Sequence, residues 1–362
     1  MVTESLKIDG SRGEGGGQIL RVSVALAAVM GKPVEVYNVR AKRSPPGLRP
    51  QHVAAVKALT EIAQADASGL VIGSRQVRFV PKELKSGEFS FDAGTAASTT
   101  LILQSLMPVM AFSGGESSVE VRGGTNNPLA PTVEFLQTVL LPAIGRQGFR
   151  GAVQLVRRGF YPRGGGILKG RIESIDALRP LVVTEFGSVT RVFGLSYSSR
   201  LPSHIVERMA RSAAERLRDG GYAEAEIATE SLQPEDPKCA LSPGCGIILF
   251  AELSSGGILS GDSLGELGKP AEKVGAQAAE DLLRQLRSGV PVEKHLGDQV
   301  VVYMALADGR SVIRTTQLTL HTTTCACVAE EITGAKFVVD GRLSGPATIT
   351  CEGIGLRTRF LE

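Results

Sequence analysis

The sequence predicts an α+β protein of α/β-like repeats, with a smaller α+β domain inserted. Three observations carry that expectation. Short β-type runs alternate with helical segments through the first half, and a β-α-β-α-β-β order then restarts. Glycine-rich corners recur in similar settings at Gly15–Gly17, Gly123-Gly124 and Gly164–Gly166. Between about Glu185 and Val290 the pattern changes to that of a compact unit with its own core, after which the repeat-like pattern returns. A chain of 362 residues is long enough for two domains. We therefore expect a repeat domain over 1–184 and 291–362 and an inserted domain over 185–290.

The elements follow in order. Leu6–Asp9 reads as a strand, and Gly15–Gly17 leads into a helix over Gln18–Met30 that Gly31 closes as the residue past its end. Val34–Val39 is β-like. Pro50 opens a second helix, with Val53, Val56, Leu59 and Ile62 at helical spacing. Strands are expected around Val71, Val77–Val80 and Glu88–Phe91, then an apolar helix over about Ala96–Phe112. The restart gives a strand at Ser118–Val121, a loop from Gly123 to Asn127, a helix over Pro131–Ile144 and strands near Ala152–Arg157 and Ile167–Ile172. In the middle unit, Val189–Ser198 alternates like a strand and Ser203 is placed to cap an amphipathic helix through Leu217. Strands near Glu226–Leu232, Gly246–Leu253 and Gly256–Leu264 precede a helix over Ala271–Ser288, and the prolines at 234, 237 and 243 mark an exposed loop. The last part reads as an apolar helix Asp298–Ala307, strands around Val312–Arg314 and Gln317–Leu320, and a helix after His321.

Composition narrows the function classes. A net charge of +3 leaves any anion site to local clustering. Five irregularly spaced cysteines and a polar opening segment, Met1 to Asp9, fit reduced thiols in a cytoplasmic protein. The apolar runs are too short or too interrupted to span a bilayer as helices.

Three common fingerprints are missing: the G-x-x-x-x-G-K-[ST] loop, the dinucleotide G-x-G-x-x-G pattern and the G-x-S-x-G elbow. The strongest anion candidate is the loop that crowds Arg40, Lys42, Arg43 and Arg49, followed by Gln51 and His52. Such a loop repels itself unless an anion binds or solvent screens it. Pro45, Pro46 and Pro50 stiffen it, lowering the entropic cost of holding donors in place. A solvated basic loop is the alternative. Arg21 stands in a helix whose other residues are mostly apolar, and Glu14 could hold a divalent cation chelated by phosphates. His321, at a strand end facing a helix that Thr322, Thr323 or Thr324 could cap, is placed to stay neutral and nucleophilic. A hydrogen-bonded structural histidine is the alternative there. Cys325 and Cys327 do not complete a metal set with it, because Cys327 falls on another helical face.

The most informative stretch is Arg158-Gly159-Phe160-Tyr161-Pro162-Arg163-Gly164-Gly165-Gly166-Ile167-Leu168. Consecutive glycines clear the backbone for close approach, and flanking arginines are donors suited to phosphate oxygens. A turn between strands with solvent-facing arginines is the bland reading. Position by position, the stretch resembles the signature segment of the RNA 3'-terminal phosphate cyclases. Gly13-Glu14-Gly15-Gly16-Gly17-Gln18-Ile19-Leu20-Arg21, the run from Arg40 to His52, Gly123–Asn126, Asp298-Gln299 and Leu318–Thr322 are similar to that family's motifs in its order.

The resemblance implies three repeats of a two-helix, four-stranded unit with an inserted α+β domain. It also implies ATP-dependent, ligase-type chemistry on an RNA 3'-phosphate. The residue matching His321 attacks the α-phosphorus of ATP, the adenylate passes to the RNA end, and the 2'-hydroxyl closes a 2',3'-cyclic phosphodiester, expelling AMP. Carried over, Glu14 binds Mg²⁺ or Mn²⁺. Arg21, Arg40, Arg43 and Gln51 hold the triphosphate or RNA phosphate with His52 beside them. Gln104, Pro131 and His295, Leu296, Gly297, Asp298 and Gln299 surround the nucleotide. His295 stands where the family often has a base-stacking tyrosine, which puts adenine affinity in question. The expected partners are ATP and RNA, with a possible homo-oligomer. Non-catalytic cyclase-like binding factors and enolpyruvate-type transferases are the rival readings.

Overall fold

A computed structural model describes residues 4–359; residues 1–3, the head of the polar opening segment, and 360–362, the end of the expected repeat domain, lie outside the described residues. The fold is mixed α and β, with four four-stranded sheets. In the first, β1 (Leu6–Asp9), β2 (Val34–Tyr37), β3 (Asp66–Ser68) and β4 (Val77–Val80) lie in the order β1-β2-β4-β3. β1 and β2 are parallel, Leu6 opposite Val34, so the chain between them must cross over; α1 (Gly17–Met30) does so. α2 (Pro50–Ile62) makes the next crossing.

The second sheet, β5 (Glu88–Asp92), β6 (Ser117–Gly123), β7 (Gly151–Arg157) and β8 (Gly166–Ile172), has the order β5-β6-β8-β7. Its helices are α3 (Thr99–Ala111) and a composite of α4 (Val133–Phe135), a π-helical stretch Leu136–Leu140 and α5 (Leu141–Gly145). After β9 (Val182–Val183) the chain builds a separate sheet from β10 (Val189–Ser199), β11 (Glu226–Leu232), β12 (Gly244–Leu253) and β13 (Ile258–Leu264), in the order β11-β10-β12-β13. α6 (His204–Asp219) and α7 (Ala271–Arg287) cover it. A cluster of buried apolar residues drawn only from Val192 to Leu286 fills the space beneath them. Then come α8 (Leu296–Gln299), α9 (Val301–Leu306), β14 (Arg310–Thr315), α10 (Leu320–Thr333), β15 (Lys336–Gly341) and β16 (Ala347–Glu352). β9 joins β14, β16 and β15 in the fourth sheet. Counting strands in chain order, the first, second and fourth sheets all run first-second-fourth-third, whereas the sheet of β10–β13 does not.

α1 is the centre of the larger core. Nine of its fourteen residues are buried, and it packs on α2, α3 and α10. This contact brings both ends of the sequence to one place.

Several local expectations change. The segment around Val71 is turn, with Val71 and Ile72 exposed, and the strand lies earlier, at Asp66–Ser68. Two apolar side chains in a glycine-flanked turn have no partner strand to cover them. Ser203 makes no side-chain cap on α6, and α4 begins at Val133 behind the cap residue Thr132, leaving Pro131 outside the helix. Gln317–Leu320 is not a strand: Leu318 makes one isolated bridge to Leu343, and Thr319 is already the cap of α10. β15 and β16 had no counterpart in the element reading. All five cysteines are free, and among the described residues no helix is long and apolar enough to cross a membrane.

Candidate functional site

The beginnings of α1, α2 and α10 meet. Thr319 fixes the start of α10 by accepting, through Oγ1, a hydrogen bond from the Thr322 backbone N–H at 3.1 Å. His321 therefore lies in the first turn of the helix and not ahead of it, and Thr324 returns its hydroxyl to the Leu320 carbonyl at 2.6 Å. The loop Gly13–Gly17 runs between α10 and α2. Glycine is required by close approach at both ends: a Cβ on Gly13 would lie 2.0 Å from Thr324 Oγ1, and one on Gly17 1.9 Å from His52 Nε2.

The basic loop is fastened to this turn. Lys42 Nζ donates to the Gly13 carbonyl at 3.0 Å, and Arg43 donates to Glu14 Oε2 at 2.6 Å. The same Glu14 oxygen is 2.8 Å from His321 Nε2. On the other side of the ring, Nδ1 meets the Oε1 of Gln18. The Gln18 amide is oriented by acceptors around its nitrogen: Asp298 Oδ2 at 3.3 Å, the His321 carbonyl at 3.4 Å and the Cys325 sulfur. Sequence reasoning left Gln18 out of the candidate set. Its signal was being the only uncharged polar side chain in the first turn of an apolar helix.

Electrostatics separate His52 from His321. His52 is buried, its Nδ1 accepts from the Arg49 backbone N–H at 3.1 Å, and burial, with help from Arg21, Arg40 and Arg49, pushes its pKa down to about 3. It is a neutral ring that caps α2 and packs against Gly17. His321 is more open. Burial lowers its pKa, the Glu14 carboxylate opposes this, and Arg21, Arg43 and His295 add to the lowering. Arg21 is half-buried, and burial brings its guanidinium down to about 10. Arg40 ties its own loop through Nη1, which donates to the Pro45 and Gly47 carbonyls at 2.8 and 2.9 Å.

α8 approaches from the side, its backbone start held by Glu293, whose Oε2 accepts from the N–H groups of His295 and Leu296 at 2.6 and 2.8 Å. His295 is exposed, while Leu296 and Gly297 are buried, and a Cβ on Gly297 would crowd Thr315. Asp298 Oδ1 and Gln299 Oε1 are buried and have no hydrogen-bond donor among the described residues. Burial, with Glu293 as the next cause, raises Asp298 to about 8. Gln104 lies on α3, and Pro131 just ahead of the cap of α4, both beside the second sheet. The Thr100 hydroxyl, one turn before Gln104, donates to the Pro131 carbonyl at 2.7 Å, and α8 packs on the π-helical stretch that follows Pro131. Gln51, on the first turn of α2, and Gln104 are half-buried and make no side-chain hydrogen bond among the described residues.

Arg158 requires a correction. It faces neither phosphate nor solvent: it is 1% exposed, bound to Glu134 at 2.7 Å and Glu230 at 2.5 Å, with its guanidinium 4.2 Å from the Tyr197 ring centre. Among the described residues no group of three or more His, Cys, Asp or Glu side chains is arranged to hold a metal. A lone carboxylate such as Glu14 fits a cation held mainly by a ligand's own phosphates, the usual mode of Mg²⁺.

Residues 12–339 match the family model described as RNA 3'-terminal phosphate cyclase. The chain is 43% identical over 356 residues to the RNA 3'-terminal phosphate cyclase of Staphylothermus marinus, covering 98% of this chain and 99% of that protein. It is also 43% identical to those of Pyrobaculum neutrophilum (97% and 99% covered) and Methanopyrus kandleri (95% and 97% covered). Among solved structures, the enolpyruvyl transferase NikO from Streptomyces tendae aligns over 96% of this chain and 65% of its own, at 13% identity and a TM-score of 0.27, too loosely to bear on fold or activity.

Proposed function

The chain belongs to the RNA 3'-terminal phosphate cyclase family of enzymes, and from that premise we propose that it uses ATP to close an RNA 3'-phosphate into a 2',3'-cyclic phosphodiester through a covalent histidinyl-AMP at His321. The single observation that carries the reading is His321 in the first turn of α10, facing Glu14 and Arg43 with Gln18 behind it.

The two ring contacts set the chemistry. Gln18 Oε1 and the Glu14 carboxylate are both acceptors, and a neutral imidazole has one proton to give. Burial and the neighbouring cations favour the neutral ring. With a triphosphate bound to Arg43 and Arg21, Glu14 has a competing role, and the ring keeps its Nδ1–H on Gln18. Nε2 then carries the free lone pair. It attacks the α-phosphorus, the bond to the β-phosphate oxygen breaks, and pyrophosphate leaves. An oxygen of the RNA 3'-phosphate next displaces the histidine, turning a poor leaving group into a mixed anhydride. The 2'-hydroxyl attacks the 3'-phosphorus, loses its proton, and AMP departs. A divalent ion, Mg²⁺ or Mn²⁺, would supply charge neutralisation on the phosphates, and Glu14 is the carboxylate placed to hold it. The orphan acceptors Asp298 Oδ1 and Gln299 Oε1 suit ribose hydroxyls or an exocyclic amine. Pro131, Gln104 and His295 complete the nucleotide's surroundings in this reading. The shared strand order of three sheets supports three β-α-β-α-β-β copies over 1–184 and 291–362, with 185–290 inserted.

Incubation with ATP and Mg²⁺ is expected to leave acid-labile label on the protein from the α-phosphate and none from the γ-phosphate. Unlabelled wild-type protein would return the chain to the binding-factor reading. Glu14→Ala should slow labelling without lowering the melting temperature, since its contacts are at the open face of the site; a variant with full labelling rate would remove the metal role. Gln18→Ala should slow labelling about 10²-fold at saturating ATP, with little change in the ATP concentration needed, because a mispositioned nucleophile costs rate and not affinity. An equal loss in affinity would make Gln18 a nucleotide contact instead.

A further inference from the structure

The glycine-rich turn between β7 and β8 is not absorbed by the reaction at His321. Its backbone is pinned on every side. The Gly164 N–H donates to the Phe160 carbonyl at 2.8 Å, Arg157 Nε to the Gly165 carbonyl at 2.7 Å, and the Arg163 N–H to Ser242 Oγ at 3.2 Å. Phe160 is buried, stacked on Tyr197 with ring centres 6.3 Å apart. Tyr161, next to it, is 77% exposed. A fixed turn that holds an aromatic ring in solvent loses burial and gains nothing internally.

Cationic residues lie on the turn and on the segments fastened to it. Arg158 N donates to the Lys238 carbonyl and Arg200 Nε to the Ala240 carbonyl, which draws the 233–243 loop and its flank onto the turn. Leu241, 39% exposed, would be met by a Cβ on Gly165. Arg157, Arg163, Arg200 and Lys238 thus share one seam, and none of them forms an ion pair among the described residues. The carboxylates nearby are committed: Glu134 and Glu230 to Arg158, Glu120 to Arg122 and Lys169. Asp236 accepts from the Lys238 backbone N–H at 2.8 Å, and the exposed Glu235 beside it pairs with none of the four. The turn also abuts the approach to α3: a Cβ on Gly164 would lie 2.7 Å from Ala96 Cα, and Asn127 donates to the Ala96 carbonyl.

We propose that this seam is a platform for the single-stranded RNA upstream of the reacting end, with Tyr161 stacking a base and Arg157, Arg163, Arg200 and Lys238 lining the phosphate track. An exposed flat ring on a turn whose cations form no ion pair is the recognition chemistry of single strands, indifferent to sequence because every base has a stacking face. The inference rests on the cyclase reading for its substrate, and the test separates the two.

Binding of a 3'-phosphorylated oligoribonucleotide of about ten nucleotides, followed by fluorescence anisotropy, and its cyclisation are compared with cyclisation of a dinucleotide 3'-phosphate. Tyr161→Ala is expected to weaken binding of the longer strand, and raise its KM, by about 5-fold or more. Tyr161→Phe should restore both, and the dinucleotide's KM should change by less than about 2-fold. Arg163→Ala with Lys238→Ala should lower the salt slope of binding by about 0.7 for each cation removed. An unchanged affinity and salt slope for the longer strand, or an equal loss for both lengths, overturns the platform; the first outcome would make the seam a protein-docking surface. Failure of the wild-type protein to become adenylylated would instead sink the cyclase reading, and the anisotropy arm would still judge the platform.

Discussion

His321→Asn is expected to eliminate covalent labelling from ATP and to reduce cyclisation by about four orders of magnitude or more, the scale on which removal of an attacking group is felt. Asparagine is the informative replacement. It keeps an amide that can face Gln18 and fits the first turn of α10, so the helix cap at Thr319 and the packing of Cys325 below it remain. What disappears is the ring nitrogen beside Glu14. His52→Asn is the matching control. Its ring already points into the protein, bonded to the Arg49 N–H, with a pKa near 3. That variant should lose stability through a poorer cap and a void against Gly17, yet label fully per folded molecule. Peptide mapping of the labelled wild type should place the adenylate within 320–333. Label persisting in His321→Asn, or mapping to another segment, would end the proposed mechanism.

How much of this was legible in the sequence differs by level. The mixed α and β class and most elements followed from spacing, because α1, α2 and α3 carry apolar residues at helical period and end at recognisable residues such as Gly31. Thr319 was hidden as a cap because three more threonines follow His321, and only the fold decides which hydroxyl faces the helix start. β15 went unread since Phe337, Val338 and Val339 run together without alternation in the sequence, whereas β16 alternates cleanly, with Ala347, Ile349 and Cys351 buried, and was legible but missed. In the site, charge clustering pointed to Arg40 and Arg43, and the glycine run to Glu14, but neither could show that Arg40 ties loop carbonyls while Arg43 reaches Glu14. Contacts of that kind join residues about 30 or 300 positions apart, and no local pattern encodes them.

Arg158→Leu is expected to cost about 3–5 kcal/mol of stability, the largest structural loss of any single change considered, because it strands buried carboxylate charge. Arg158 is the junction of the glycine-rich turn, the helix carrying Glu134 and the strand carrying Glu230, which belong to different sheets. Tyr197 lies under its guanidinium, and the Tyr197 hydroxyl accepts from Asn126, which also bonds Glu134. The two carboxylates, with the tyrosine ring, raise the guanidinium pKa against the cost of burial, so it stays charged across the accessible pH range. Removing it leaves Glu134, 7% exposed, with only the Asn126 amide as donor. Denaturant unfolding of Arg158→Leu against wild type reads the loss, and Arg158→Leu with Glu134→Leu should recover most of it, since paired removal leaves no stranded charge beside Asn126. The site at His321 uses none of these side chains, so the folded fraction of Arg158→Leu should still label with ATP, while protease should cut its 233–243 loop sooner than in wild type. A loss below about 1 kcal/mol would mean that water reaches Glu134 once the arginine is gone, and that the seam is held by the backbone bond from Arg158 to Lys238 and not by the buried charges.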